Sequence, residues 1–276
     1  MLINPELDGT SFSWEGGSAG ALLLHGLTAT TVEVRELGKR LHTLDWTVRA
    51  PLLPGHGTHP ADLNRTTRHQ WREVVETEYQ WLRRRCESVV MVGESAGALL
   101  ALDRALAHPE VEALVLLAPA LRLARPWWEQ ALMFAAAPWI ESVPKSPSGK
   151  AEHGWQGYSV NPLKAGCELV RLQREVWPQL PRIQQPTLIL QGGEDPTVNA
   201  EYAFQLQQRI SSAIKPIFWF PKAGHVLLLD DVHPHVMNRI DEFLNTLKLS
   251  PNPHGNPTRV PEVPTLQAPS LPLHRQ

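Results

Sequence analysis

Ser88-Val89-Val90-Met91-Val92-Gly93-Glu94-Ser95-Ala96-Gly97-Ala98-Leu99-Leu100-Ala101-Leu102 is the stretch that decides the fold. A short apolar run, Val89 to Val92, leads into Gly93-Glu94-Ser95-Ala96-Gly97, and a helical pattern follows from Ala98 to Ala107. Strand, sharp turn and helix in that order present a serine at the carboxyl edge of a sheet. A turn this sharp strains the backbone of the serine and crowds the helix against the strand, so only very small residues fit at the two flanking positions. The serine hydroxyl then stands beside a helix N-terminus, whose dipole favours an anionic intermediate. Ser95 is the candidate nucleophile.

Outward from this turn, apolar runs alternate with helical segments. Ala21–Leu24, Thr47–Ala50, Glu112–Ala118, Thr187–Gln191 and Ile217–Phe220 read as further strands. Near-continuous apolar runs predict strands buried on both faces, as in a parallel sheet covered by helices. Leu37, Leu41 and Leu44 recur at helical spacing, as do Trp71, Val75, Tyr79 and Leu82. The alternation predicts a doubly wound, mostly parallel α/β sheet. Residues 1–120 and 183–250 form its core. Residues 121–182 are too long for a plain crossover and carry five tryptophans (Trp127, Trp128, Trp139, Trp155 and Trp177), so they are expected to form an inserted helical cap. Residues 251–276 are Pro-rich without apolar periodicity and are expected to be a disordered tail.

A serine hydroxyl needs a base, and the base needs a carboxylate. Two later loops supply them at the carboxyl ends of strands. Gln191-Gly192-Gly193-Glu194-Asp195-Pro196 follows one strand, and Ala223-Gly224-His225-Val226 follows the next. Asp195 competes with Glu194 and is preferred because Pro196 fixes its turn. Of twelve histidines, His225 has the right position; His25, His56, His59 and His69 precede the serine. The His233–His235 pair has no third ligand at metal-binding spacing and reads as a solvated helix start. An oxyanion would be held by two backbone N–H groups, from Ala96 after the nucleophile and from Leu27 in the loop Leu24-His25-Gly26-Leu27-Thr28. His25 is expected to be a structural residue buried under that loop.

The chain has 276 residues, a net charge of −2, 42% hydrophobic and 20% charged residues. This balance argues against nucleic acid or anionic membrane as a broad electrostatic partner. Cys86 and Cys167 form neither a disulfide framework nor a metal motif and suit a reducing compartment. No targeting signal or membrane-length apolar run is present, so a cytoplasmic location is expected. No metal or organic cofactor is implied, and no segment signals an oligomeric state.

Leu22-Leu23-Leu24-His25-Gly26-Leu27-Thr28, Pro54-Gly55-His56-Gly57, Gly93-Glu94-Ser95-Ala96-Gly97, the Asp195 loop and Gly224-His225-Val226 occur in the order of α/β-hydrolases. The pattern over residues 20–248 resembles the bacterial carboxylesterase and monoacylglycerol lipase group. The resemblance implies a serine hydrolase of short- to medium-chain carboxylic esters or monoacylglycerol, with a cap over the acyl pocket. Thioester or small-peptide hydrolysis by the same groups, and a non-catalytic binding role, are the competing readings. Ser95 in place of an aspartate disfavours dehalogenase and epoxide hydrolase chemistry. The sequence departs from the family at Ala98, where many relatives have a second glycine, and the cap aligns with nothing in the pattern.

Overall fold

A computed structural model of the protein describes residues 1–145 and 154–249. Its strands are β1 (Leu2–Ile3), β2 (Phe12–Trp14), β3 (Ala19–Leu24), β4 (Thr47–Ala50), β5 (Ser88–Glu94), β6 (Ala113–Leu117), β7 (Ser142–Pro144), β8 (Gly157–Tyr158), β9 (Val160–Pro162), β10 (Thr187–Gly192) and β11 (Ile217–Phe220). Its helices are α1 (Val32–Thr43), α2 (Pro60–Arg65), α3 (Arg68–Arg83), α4 (Ala96–Ala107), α5 (Trp127–Ala136), α6 (Leu163–Val176), α7 (Tyr202–Arg209) and α8 (His233–Thr246). Seven strands form one sheet in the order β11-β10-β6-β5-β3-β4-β2. All pairs are parallel except β2 with β4. The short antiparallel β2 caps one edge and is absent from the sequence reading because three residues show no periodicity.

Period-two alternation places successive side chains of each central strand in opposite layers. Leu22, Leu24, Met91, Leu114, Leu116 and Ile189 enter one apolar cluster with α3, α4 and α6. Ala21, Leu23, Val90, Val92, Val115, Leu117, Leu188 and Leu190 enter another with α1 and α8. Both faces are therefore dry, which is why the strands read as unbroken apolar runs. Truncating one such leucine to alanine costs about 2–5 kcal/mol.

Register brings the carboxyl ends level. Leu24 pairs with Gly93, Glu94 with Leu117, Leu190 with Leu117 and Gly192 with Phe220. Each chain leaves the sheet on that one edge, and the next residues of β3, β5, β10 and β11 are the loops that carry the candidate site.

In the segment expected as a helical cap, the described residues of 121–182 hold α5, three short strands, α6 and a 3-10 turn, Trp177–Arg182. β8 pairs antiparallel with β1, and β7 with β9, so the N-terminus is stitched to the insertion. Helix α6 packs into the main core: Ala165, Leu169, Leu172 and Val176 recur at helical spacing and join the cluster of Trp71 and Leu99. A smaller cluster of Ala137, Leu163 and Cys167 lies between α5 and α6. Among the described residues, no helix is long and apolar enough to cross a membrane. The tail expected over 251–276 lies outside the described residues.

Candidate active site

The turn after β5 adopts the geometry that its glycines permit. Ser95 has φ 57° and ψ −115°, a left-handed strain for a residue with a side chain. A Cβ on Gly93 would fall 2.3 Å from the Gly97 carbonyl carbon, and one on Gly97 would fall 2.1 Å from the Leu24 carbonyl oxygen. Close packing of α4 on β5 and β3 thus demands glycine at both positions. The strain is held from two sides: Ser95 N–H donates to Leu117 O (2.8 Å), and Ala120 N–H donates to Ser95 O (3.1 Å).

The structure brings Ser95, His225 and Asp195 together. The Ser95 hydroxyl lies 2.8 Å from His225 Nε2, and His225 Nδ1 lies 2.7 Å from Asp195 Oδ2. Nδ1–H donates to the carboxylate, which leaves Nε2 as acceptor for the serine proton. All three are buried from solvent at their reacting atoms. Asp195 Oδ1 accepts the Thr197 and Val198 N–H groups at 2.8 and 3.0 Å, and Oδ2 accepts Gln191 Nε2 at 3.2 Å. Burial pushes the Asp195 carboxyl up, but His225 and these N–H donors outweigh it and hold the pKa below the ordinary 3.8. Asp195 is therefore an anion at neutral pH. Glu194, the competing carboxylate, is exposed, and its N–H is tied to Ala223 O (3.0 Å).

The Leu27 loop packs directly on the nucleophile. A Cβ on Gly26 would sit 3.2 Å from Ser95 Cβ. Neither the Leu27 nor the Ala96 N–H has a hydrogen-bond partner among the described residues. Two unspent donors flank the serine. His25 is fully buried beneath the loop: Nδ1–H donates to Gly26 O (2.9 Å) and Nε2 accepts Leu53 N–H (3.1 Å). Its ring meets His56 edge-on at 4.9 Å. Of the other early histidines, His59 caps α2 by accepting Ala61 N–H (3.2 Å). His233 differs from the solvated residue expected: it is half-buried at the start of α8, and burial lowers its pKa against the pull of Glu36.

Glu33 is the positioning residue that the sequence reading passed over. It is buried on α1, with Oε2 accepting Gly26 N–H (2.7 Å) and Oε1 accepting the Trp155 indole N–H (2.7 Å). One carboxylate thus ties the loop bearing Leu27 to the insertion. The signal was present, because Glu33 stands four residues before Leu37 and eight before Leu41, on the apolar stripe of α1. Glu94, inside the turn, is also fully buried, and its Oε1 accepts Leu228 N–H (3.3 Å) from the His225 loop.

The tryptophans of the insertion divide. Trp155 is buried (2% exposed), whereas Trp127, Trp128 and Trp139 are 72%, 54% and 88% exposed.

Residues 21–240 match the alpha/beta hydrolase family. A thermostable monoacylglycerol lipase of Bacillus sp. (strain H-257) is 34% identical over 245 residues, which are 87% of this chain and 96% of that protein. A carboxylesterase of Bacillus subtilis (strain 168) is 28% identical over 237 residues, 86% of this chain and 96% of its own. Among solved structures, one concerning LipS and LipT, two metagenome-derived lipolytic enzymes, matches with a TM-score of 0.81 at 28% identity, over 86% of this chain and 98% of that one. With a family match across most of its length, a relative above 30% identity and a parallel sheet that delivers a strained serine to its carboxyl edge, this chain belongs to the α/β-hydrolase family.

Proposed function

We propose that the protein is a serine hydrolase of carboxylic esters, acting on short- to medium-chain acyl esters or monoacylglycerol through an acyl-enzyme on Ser95. The hydrogen-bonded series Ser95–His225–Asp195, with two unspent N–H donors beside it, is the observation that carries this reading. The named activities of the two Bacillus relatives support the ester as substrate class.

The steps follow from the geometry. His225 Nε2 takes the Ser95 proton as Oγ bonds to the ester carbonyl carbon. The carbonyl oxygen becomes an anion held by the Leu27 and Ala96 N–H groups, which need no reorganisation because nothing else occupies them. His225 then gives its proton to the leaving alcohol as the ester C–O bond breaks. Water, deprotonated by the same nitrogen, attacks the acyl carbon; the bond from that carbon to Ser95 Oγ breaks, His225 returns its proton to Oγ, and the acid leaves. Asp195 holds the imidazole in the tautomer with Nδ1–H and stabilises its cation throughout.

Two measurements test this. A fluorophosphonate probe followed by peptide mapping should label Ser95 in the wild type and nothing in Ser95→Ala. p-Nitrophenyl esters from acetate to palmitate should show turnover peaking at short to medium chains, abolished in Ser95→Ala. Undiminished turnover in that variant would overturn the assignment.

A further inference from the structure

A cleft of about 390 Å³ lies between α5, α6, the turn after it and α7. None of the three candidate catalytic side chains lines it. Its wall includes Trp127, Trp177 and Tyr202, which are aromatic, and Arg122 and Arg174, which are cationic; among the described residues no carboxylate lines it. The Trp177 and Tyr202 rings pack 5.1 Å apart, and the Arg209 guanidinium caps Trp177 at 4.6 Å.

The charges here are unusual for this surface. Neighbouring arginines are paired: Arg125 with Glu129 (2.9 Å) and Arg171 with Glu168. Arg68 and Arg72 of α3 share Glu175 (both 2.7 Å). By contrast, Arg122, Arg174 and Arg209 meet no carboxylate at ion-pair distance among the described residues. Arg122 and Arg174 on the wall of an aromatic cleft, with Arg209 stacked on Trp177 beside it, form a recognition surface for an anion on an apolar or ring-bearing body, since the planar fork matches phosphate oxygens. A neutral acylglycerol makes no use of it.

The cleft is also close to the chemistry. Arg122 follows Leu121 and Ala120, and the Ala120 N–H bonds the Ser95 carbonyl (3.1 Å). At 3.8 Å between successive Cα atoms, the Arg122 Cα lies within about 12 Å of the nucleophile's backbone. Arg122 O accepts Asn199 N–H (2.8 Å), four residues beyond Asp195, so this wall is fixed to the acid loop.

We propose that the cleft receives a phosphate carried on the leaving group, so that the substrates extend to acyl esters or thioesters of a phosphorylated alcohol or thiol. The inference rests on the ester-hydrolase reading and names part of its substrate class. The bond changes are unaltered: Ser95 Oγ bonds to the acyl carbon, the C–O or C–S bond breaks, His225 delivers the proton to the departing oxygen or sulfur, and water releases the acid.

The test compares octanoyl-coenzyme A, octanoylglycerol phosphate and neutral octanoylglycerol on the wild type, Arg122→Gln, Arg174→Gln and the double variant. The ratio of kcat/KM for a phosphorylated substrate to that for octanoylglycerol should fall by about tenfold or more in the double variant, chiefly through KM. Arg174→Lys, which keeps the charge on an exposed residue, should retain most of the ratio. The substrate that loses the ratio identifies the source of the phosphate. A ratio unchanged for both phosphorylated substrates, or a wild type that turns over only the neutral one, overturns the proposal. If the wild type hydrolyses none of the three, the ester reading fails instead. Calorimetry on Ser95→Ala then still judges the cleft: octyl phosphate should bind more tightly than octyl glucoside, and the preference should vanish with both arginines replaced. No such preference overturns it.

Discussion

Two regions of this molecule are built on opposite principles. At the carboxyl edge of the sheet every polar atom of the Ser95–His225–Asp195 series has a partner, and the side chains are dry. The insertion, by contrast, exposes Trp127, Trp128 and Trp139, and its Arg122 and Arg174 form no ion pair among the described residues. The first region is over-determined: register, glycine packing and hydrogen bonds agree on one geometry. The second spends little of its apolar and cationic surface on its own fold. The hydrogen-bonded series is thus held in one arrangement, and the proposed selectivity falls on the surface that its own fold uses least.

The largest expected effect breaks the rigid side. His225→Ala should lower kcat by about 10⁴–10⁶-fold with the KM little changed, and Asp195→Asn by less, measured on p-nitrophenyl butyrate. Gly97→Ala should come next: its Cβ would lie 2.1 Å from a backbone oxygen, so β3 or α4 must shift. Urea unfolding should show a loss of about 3 kcal/mol or more.

Glu33→Gln tests whether the two regions communicate. The amide can accept one of the two N–H groups but turns its own donor against the other. Loosening Gly26 should misplace the Leu27 N–H and lower kcat by about 10–100-fold, with the KM less affected. Trp155→Phe frees one carboxylate oxygen without disturbing Gly26 and should cost less. Equal losses in the two variants would show that Glu33 acts only through the insertion.

Acid should weaken the rigid side further. Burial keeps the His25 pKa below 6.5, and burial with the neighbouring His25 ring keeps that of His56 well below it. A base with a depressed folded pKa binds protons better when unfolded, so its stability is full above 6.5 and falls as the pH drops below that value. The slope reaches about 1.4 kcal/mol per pH unit for each histidine. Melting temperatures taken from about pH 7 to about pH 5 should decline, and His56→Asn should flatten the decline. Asp195 adds the acid-stable counterpart: its depressed pKa makes its contribution persist until the pH falls below 3.8. The smallest effect belongs to the cap. Trp139→Ser should change stability by less than about 0.5 kcal/mol, because the ring touches little. A larger loss would move that tryptophan to the rigid side.

The central strands β3, β6 and β10 were legible because burial on both faces writes itself as an apolar run. Asp195 and His225 were legible because each follows such a run in chain order. β1, β7, β8 and β9 were not, since two or three residues carry no period; β1 and β8 moreover pair across the length of the chain, Leu2 with Tyr158. The short strands within residues 121–182 were not legible for a similar reason. The stripe on α6 reads as a helix from either setting, and only contact with α3 and α4 shows that it completes the core.

By itself, then, the sequence pointed to the parallel sheet, the serine turn and the two side chains that hydrogen-bond in series with it, because each signal is local: an apolar run, a pair of glycines, a residue after a strand. Only the tertiary structure decided that Glu33 binds the Leu27 loop to Trp155, that the Leu27 and Ala96 N–H groups stay unspent among the described residues, and that Arg122 and Arg174 line one aromatic cleft. Those relations join residues up to 122 positions apart. They arise from how layers and insertion pack, which no pattern along the chain records.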